Sequence, residues 1–168
     1  MVKLNVGCGH DYREGYINID GSDTLPNVDK IIDLSKESLL DYFEEKSVRE
    51  ILARDFIEHF FHWEAEKILS EFFLLLKSDG RLKLKLPDFD YICKTWRMSS
   101  EEKITYLYGG QDKAQGKNKD NYRKKFPEFF CHKYGYTQKT MRQELAQIGF
   151  RQVKTKRKGK NFYVEATR

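Results

Sequence analysis

The chain has 168 residues, 39% of them apolar and 14% aromatic, enough for one domain with a real core and too few for two. It has no run of 18 apolar residues and no charged-then-apolar leader, so neither a membrane span nor secretion is expected. The net charge of +5 is uneven: residues 1–111 hold 15 basic and 21 acidic side chains, residues 112–168 hold 16 and 5, which suits an anionic contact for the second part.

In chain order, residues 2–6 form an apolar run that ends on Gly7-Cys8-Gly9, a buried strand entering a tight turn. A second apolar run, 16–19, is closed by Asp20. Only about nine residues join the two runs, short for a parallel crossover, so the first connecting helix is a single turn or absent. Residues 28–33 read as a third strand ending in Asp33. Ser35 is a candidate N-cap for a short helix with Leu39, Leu40 and Phe43 on one face. Residues 48–53 read as strand four. The clearest helix spans 62–77, where Ala65, Ile68, Leu69, Phe72, Phe73, Leu75 and Leu76 make a wide apolar stripe that Asp79-Gly80 ends. The strict alternation of residues 81–86 gives strand five, stopped by Pro87-Asp88.

Ser99 and Glu102 stand at capping-box spacing and open a helix to about Tyr108, broken by Gly109-Gly110. Residues 112–125 hold six basic and two acidic side chains with almost nothing apolar, and read as an exposed loop. Residues 126–136 are an aromatic knot of Phe126, Phe129, Phe130, Tyr134 and Tyr136 around His132. Thr137 caps a last helix with Met141, Leu145 and Ile148 on one face, closed by Gly149. Residues 151–168 read as an antiparallel hairpin. The result is a single α/β domain, 1–168, with a helical and basic-loop insert at about 88–136 and a mainly parallel sheet. Three widely separated cysteines, Cys8, Cys93 and Cys131, offer no metal spacing, so a reduced, cytoplasmic protein is expected.

The glycine pair and Asp20 describe a nucleoside pocket. Glycine allows positive φ and close ligand approach, and a carboxylate at the next strand tip can take both hydroxyls of a ribose. The dinucleotide pattern wants a third glycine where Tyr12 stands, and a later acid. No phosphate-binding G-x-x-x-x-G-K-[ST] loop occurs.

The stretch resembles the first motif of the class I S-adenosylmethionine-dependent methyltransferases, hydrophobic-x-x-G-x-G with an acid closing strand two. LNVGCGHDYREGYINID is similar to a small bacterial-type subgroup with a short first crossover. The resemblance covers nearly the whole chain. It implies an open, mostly parallel seven-stranded sheet with helices on both faces and a C-terminal antiparallel hairpin. It also implies S-adenosyl-L-methionine as cofactor, leaving S-adenosyl-L-homocysteine. The cofactor residues it assigns are Asn5, Gly7, Cys8, Gly9, Asp20, Asp33, Leu34 and Arg54, with Asp20 on the ribose and Asp33 and Leu34 beside adenine. The bland readings are a solvated turn acid for Asp20 and a helix-terminal acid for Asp33.

Residues 55–59 match a subgroup signature of hydrophobic-Glu-His after strand four, although the position of Asp55 more commonly carries His. Methyl transfer needs proximity and alignment, plus a base only when the acceptor must lose a proton. His59, His132 and Asp55 are the candidate catalytic bases; a loop-orienting role for His59 and a satisfied core position for His132 are the alternatives. Glu58, His59 and His62 show no third or fourth ligand in the sequence, so no metal is expected. Pro87-Asp88 resembles the family's loop bordering the acceptor.

The basic segments 112–125 and 151–160 bear on the acceptor. A small-molecule or glycan-like acceptor, with an anionic one favoured by the charge, is the first expectation. An RNA methyltransferase using the basic half, near Tyr122, Phe126 and Tyr134, is the second. An inactive, methyltransferase-like binding protein is the third.

Overall fold

The computed structural model describes residues 1–109, 111 and 127–168. The basic loop expected over 112–125, with Tyr122 and Phe126, lies outside the described residues.

Seven strands form one sheet: β1 (Val2–Val6), β2 (Ile17–Asp20), β3 (Lys30–Ile31), β4 (Val48–Arg54), β5 (Leu76–Pro87), β6 (Arg151–Lys158) and β7 (Asn161–Thr167), in the order β3-β2-β1-β4-β5-β7-β6. β1 to β5 pair in parallel, and β7 runs antiparallel to both β5 and β6. Leu4 and Val6, Ile51 and Ala53, Leu82, Leu84 and Leu86, and Phe162, Val164 and Ala166 alternate along their strands and bury one sheet face. Against it pack α1 (His62–Leu75), through Ala65, Ile68, Leu69, Phe72 and Leu75, and α4 (Gln138–Ile148), through Met141 and Leu145. Each buried Val, Leu, Ile, Phe or Met side chain among them contributes on the order of 1.5–3 kcal/mol by leaving water. Two short helices, α2 (Phe89–Lys94) and α3 (Ser100–Leu107), pack on each other beyond the carboxyl end of β5.

The other sheet face differs from the helix-covered one that the sequence reading supplies. Among the described residues no helix lies on it. The link 7–16 is too short for one and crosses β1 and β2 as a coil, held by Asn5 Nδ2 donating to the Asp11 carbonyl (2.8 Å) and the Arg13 amide donating to Asn18 Oδ1 (2.8 Å). Elsewhere this face presents Lys3, Glu50, Lys83, Glu165 and Lys154, with a Lys83–Glu50 ion pair at 2.9 Å.

Several boundaries move for identifiable reasons. Ser35 caps nothing; its amide and hydroxyl serve Asp33 (3.1 and 2.6 Å). The cap is Ser38, on a single 3-10 turn, Leu39–Asp41, whose first amide donates to the Glu71 carboxylate at 2.9 Å. The long helix stops at Leu75. Leu76 is fully buried and extended, pairing with Val48, so Asp79-Gly80 falls inside β5 and does not end the helix. Arg168 Nη1 reaches back to the Leu74 and Leu76 carbonyls (2.8 and 2.5 Å), satisfying acceptors a helix end leaves open. Asp88, read as part of a strand stop, also caps α2 by accepting from the Tyr91 amide. The capping box at Ser99, the cap at Thr137 and the left-handed Gly149 stand where the sequence puts them.

Candidate functional site

The carboxyl ends of β1, β2, β4 and β5 open onto a cavity of about 530 Å³, within the range of small-ligand sites. At one end lies the turn after β1. Gly7 has φ +64°, and a Cβ there meets the Phe56 ring at 2.1 Å, so no side chain fits. Gly9 has φ +52° and open space on the side a Cβ would occupy. Its amide donates to Asp20 Oδ2 at 2.8 Å, and Asp20 Oδ1 accepts from the Ser22 amide at 3.1 Å. The tip of β2 thus holds the glycine turn open. Ile32, Asp33, Leu34 and Ser35 continue the wall. Burial works to raise the Asp33 carboxyl, but hydrogen bonds from Lys36 and Ser35 outweigh it and hold it below the usual range.

Of the residues the resemblance assigns to the cofactor, Gly7, Gly9, Asp20, Asp33 and Leu34 line this one cavity. Asn5, Cys8 and Arg54 stand elsewhere. Asn5 is buried and bonds Asn18 Oδ1 (2.9 Å) and Asp11; Arg54 pairs with Asp11 at 3.4 Å. The Cys8 thiol is buried, and burial together with the Asp20 charge pushes it up to about 12.

The other end of the cavity holds Asp55, Glu58, His59 and His132, the three candidate bases with a fourth titratable group. Asp55 sits at φ +50° as β4 ends, paired with Lys85 Nζ at 2.5 Å. His59 closes the 3-10 turn Ile57–His59, and its Nδ1 donates to the Cys131 carbonyl at 3.1 Å. Burial, then the neighbouring His132, pulls the His59 imidazole down to about 4; burial lowers His132 as well. Both rings are therefore neutral at pH 7. Glu58 is fully buried, and burial raises its carboxyl to about 8, with the Asp55 charge acting the same way. Neither Glu58 oxygen makes a hydrogen bond of normal geometry. Its backbone carbonyl accepts from the Lys133 amide at 2.8 Å, which ties residues 131–134 to the end of β4.

Gly109, with φ +83°, completes that tie. A Cβ there meets the Phe130 carbonyl at 2.1 Å and the His132 amide at 2.8 Å, so only glycine lets α3 and the His132 segment touch. The sequence reading missed Phe56, Lys85, Tyr106, Phe130 and Asn161 as cavity wall. Phe56 sits within the 55–59 signature, but no motif marks the other four, which come from β5, α3, the 127–130 turn and β7.

No family model matches the chain. Over 112 residues it is 31% identical to a glycine/sarcosine/dimethylglycine N-methyltransferase of Actinopolyspora halophila, a match covering 62% of this chain and 19% of that protein. The chain thus matches about a fifth of the length of that relative. Among solved structures, a SAM-dependent methyltransferase of Archaeoglobus fulgidus superposes with a TM-score of 0.65 at 15% identity, covering 99% of this chain and 85% of that one. One of Mesorhizobium loti gives 0.66 at 12% identity, over 99% and 90%. The Burkholderia thailandensis 1,6-didemethyltoxoflavin-N1-methyltransferase, solved with its substrate and S-adenosylhomocysteine, gives 0.61 at 12% identity, over 99% and 70%. The chain has the fold of the class I S-adenosylmethionine-dependent methyltransferases.

Proposed function

We propose that the chain is an S-adenosylmethionine-dependent methyltransferase acting on a small-molecule or glycan-like acceptor. The observation that carries the reading is the closure of the Gly7–Gly9 turn, Asp20, Asp33 and Leu34 onto one cavity that also contains His59 and His132. The residues fit the cofactor. The open side of Gly9 admits close backbone approach, the Asp20 carboxylate lies on the cavity wall at the strand tip where a ribose is bound, and Ile32 and Leu34 give an apolar border for a base. The bound cofactor supplies an electrophilic methyl group; the chain supplies alignment and exclusion of water. His59 and His132 line the same cavity and are the side chains offered to an acceptor there.

The alternative acceptor, RNA, draws on one specific observation. Lys154, Lys156 and Lys158 project from the exposed side of β6, and six basic side chains occupy residues 151–160 without an acid. Steeply salt-dependent RNA binding, lost on neutralising these lysines, favours that reading.

Calorimetric titration with S-adenosylmethionine and S-adenosylhomocysteine, with NAD as control, tests the proposal. Micromolar binding of both, lost in Asp20→Ala while NAD gives no heat, supports it. Absence of binding to either ligand in folded protein rejects it and leaves the inactive binding protein.

A further inference from the structure

The sequence offers Glu58, His59 and His62 as neighbours and no more. The fold replaces His62 with His132. One ligand atom from each of Glu58, His59 and His132 lies within 4.8 Å of the others, and His59 and His132 stack edge to face with ring centroids 4.9 Å apart. His62 turns away and pairs instead with Glu144 at 3.4 Å.

Three features separate this trio from a chance cluster. First, Glu58 is 2% exposed, and its carboxylate has no hydrogen-bond partner of normal geometry. A buried polar group left unsatisfied costs about 1–3 kcal/mol, more when charged, and calls for a cation or donor. Second, the backbone orients both imidazoles. His59 Nδ1 donates to the Cys131 carbonyl at 3.1 Å, and the Tyr106 and Leu107 backbone lies beside the His132 ring. Metal-binding histidines are ordinarily oriented by backbone or carboxylate partners in this way. Third, all three residues line the cavity assigned to the methyl donor, so an ion held there keeps coordination positions open toward a second substrate.

We propose that Glu58, His59 and His132 form a site for one divalent first-row transition metal ion, with Asp55 on its rim, and that the ion receives an acceptor hydroxyl. Two imidazoles and one carboxylate make an N2O set suited to manganese, iron, cobalt or zinc, and too rich in nitrogen for calcium or magnesium. The acceptor class rests on the methyltransferase reading: a hydroxyl on such an ion would lose its proton far more readily than in water, passing it to the Asp55 carboxylate on the rim, as an oxygen acceptor requires before it takes a methyl group. The ion site itself does not depend on that reading. A second cluster, His62, Glu66 and Glu144, has an exposed glutamate and an ordinary ion pair, and serves as the control.

The test uses the full chain, stripped with chelator and titrated with cobalt(II), followed by visible absorption and calorimetry. One equivalent should bind, with d–d bands characteristic of nitrogen ligation. Affinity should fall at least tenfold, the order expected for a lost ligand, in His132→Ala and in Glu58→Gln. His62→Ala should bind as the parent does. S-adenosylhomocysteine titrated into the same variants should bind unchanged, which separates this inference from the cofactor assignment. Either variant suffices if the other fails to fold. No saturable binding, equal binding in the folded variants, or loss confined to His62→Ala overturns the site.

Discussion

His59 donates through Nδ1 to the backbone carbonyl of Cys131, the residue before His132. A single hydrogen bond thus fixes the orientation of one imidazole and the position of the next. The Lys133 amide, bonded to the Glu58 carbonyl, pins the same segment from the other side. This end of the cavity is therefore assembled from two distant pieces of chain joined through their backbones.

Gly109→Ala should break that assembly. The added methyl meets the Phe130 carbonyl at 2.1 Å at a φ of +83°, so residues 130–132 must move. We expect a loss of about 1–3 kcal/mol in stability, read by denaturant unfolding, together with weakened cobalt binding. Unchanged values for both would show that the segment is not held through this contact.

Glu144 gives a pH-dependent expectation. Burial raises its carboxyl above the usual range, opposed by His62, with Glu66 adding to the rise and the Tyr136 hydroxyl close by. A carboxyl whose folded value is raised favours folding in its protonated form, and it costs stability as pH climbs from the unfolded value through the folded one. Glu144→Gln should therefore melt higher than the parent at pH 7, with the gap closing by pH 4. The lost pairing with half-exposed His62 subtracts little. A constant gap from pH 4 to 7 would refute the assignment.

The cysteines should separate chemically. The Cys8 thiol, held neutral by burial and Asp20, should resist iodoacetamide at pH 8, whereas exposed Cys93 is alkylated. Peptide mass spectrometry after a short exposure measures the ratio, expected to exceed about tenfold given the thiolate dependence.

Arg168→Ala removes the donor to the Leu74 and Leu76 carbonyls and the cation resting on the Phe73 ring, 4.7 Å from its centroid. A loss of about 1–3 kcal/mol is expected from the two abandoned carbonyls, measured by thermal unfolding. A change below about 0.5 kcal/mol, the level of ordinary surface substitutions, would mean water replaces the guanidinium freely.

Much of this fold can be read from local chemistry. The glycine turn, the capping box at Ser99, the cap at Thr137, and the stripe of α1 each announce themselves within one stretch of chain. What stays hidden depends on distant partners. Leu76 reads as one more helical leucine, and only its pairing with Val48 turns it into strand. Ser35 reads as the cap from the local sequence, whereas the turn forms after Ser38, where Glu71 reaches over to the Leu39 amide. In the site, Glu58 and His59 are adjacent, but nothing local points to His132 as their partner; that follows from Gly109 and the backbone bonds around it. Among the described residues only one sheet face carries helices. Alternation in β5, R-L-K-L-K-L, already shows one-sided burial, unusual for a parallel strand, which is normally apolar throughout.

That one-sided burial sets how freely the sequence can drift. In a sheet covered twice, nearly every strand position is fixed by packing. Here the positions of Lys3, Glu50, Lys83, Glu165 and Lys154 face outward, and a library exchanging them among polar residues should yield mostly folded members. The same library at Leu4, Ile51, Leu82 and Val164, all 0–1% exposed, should yield almost none. Mutational tolerance in this chain should alternate residue by residue along each strand.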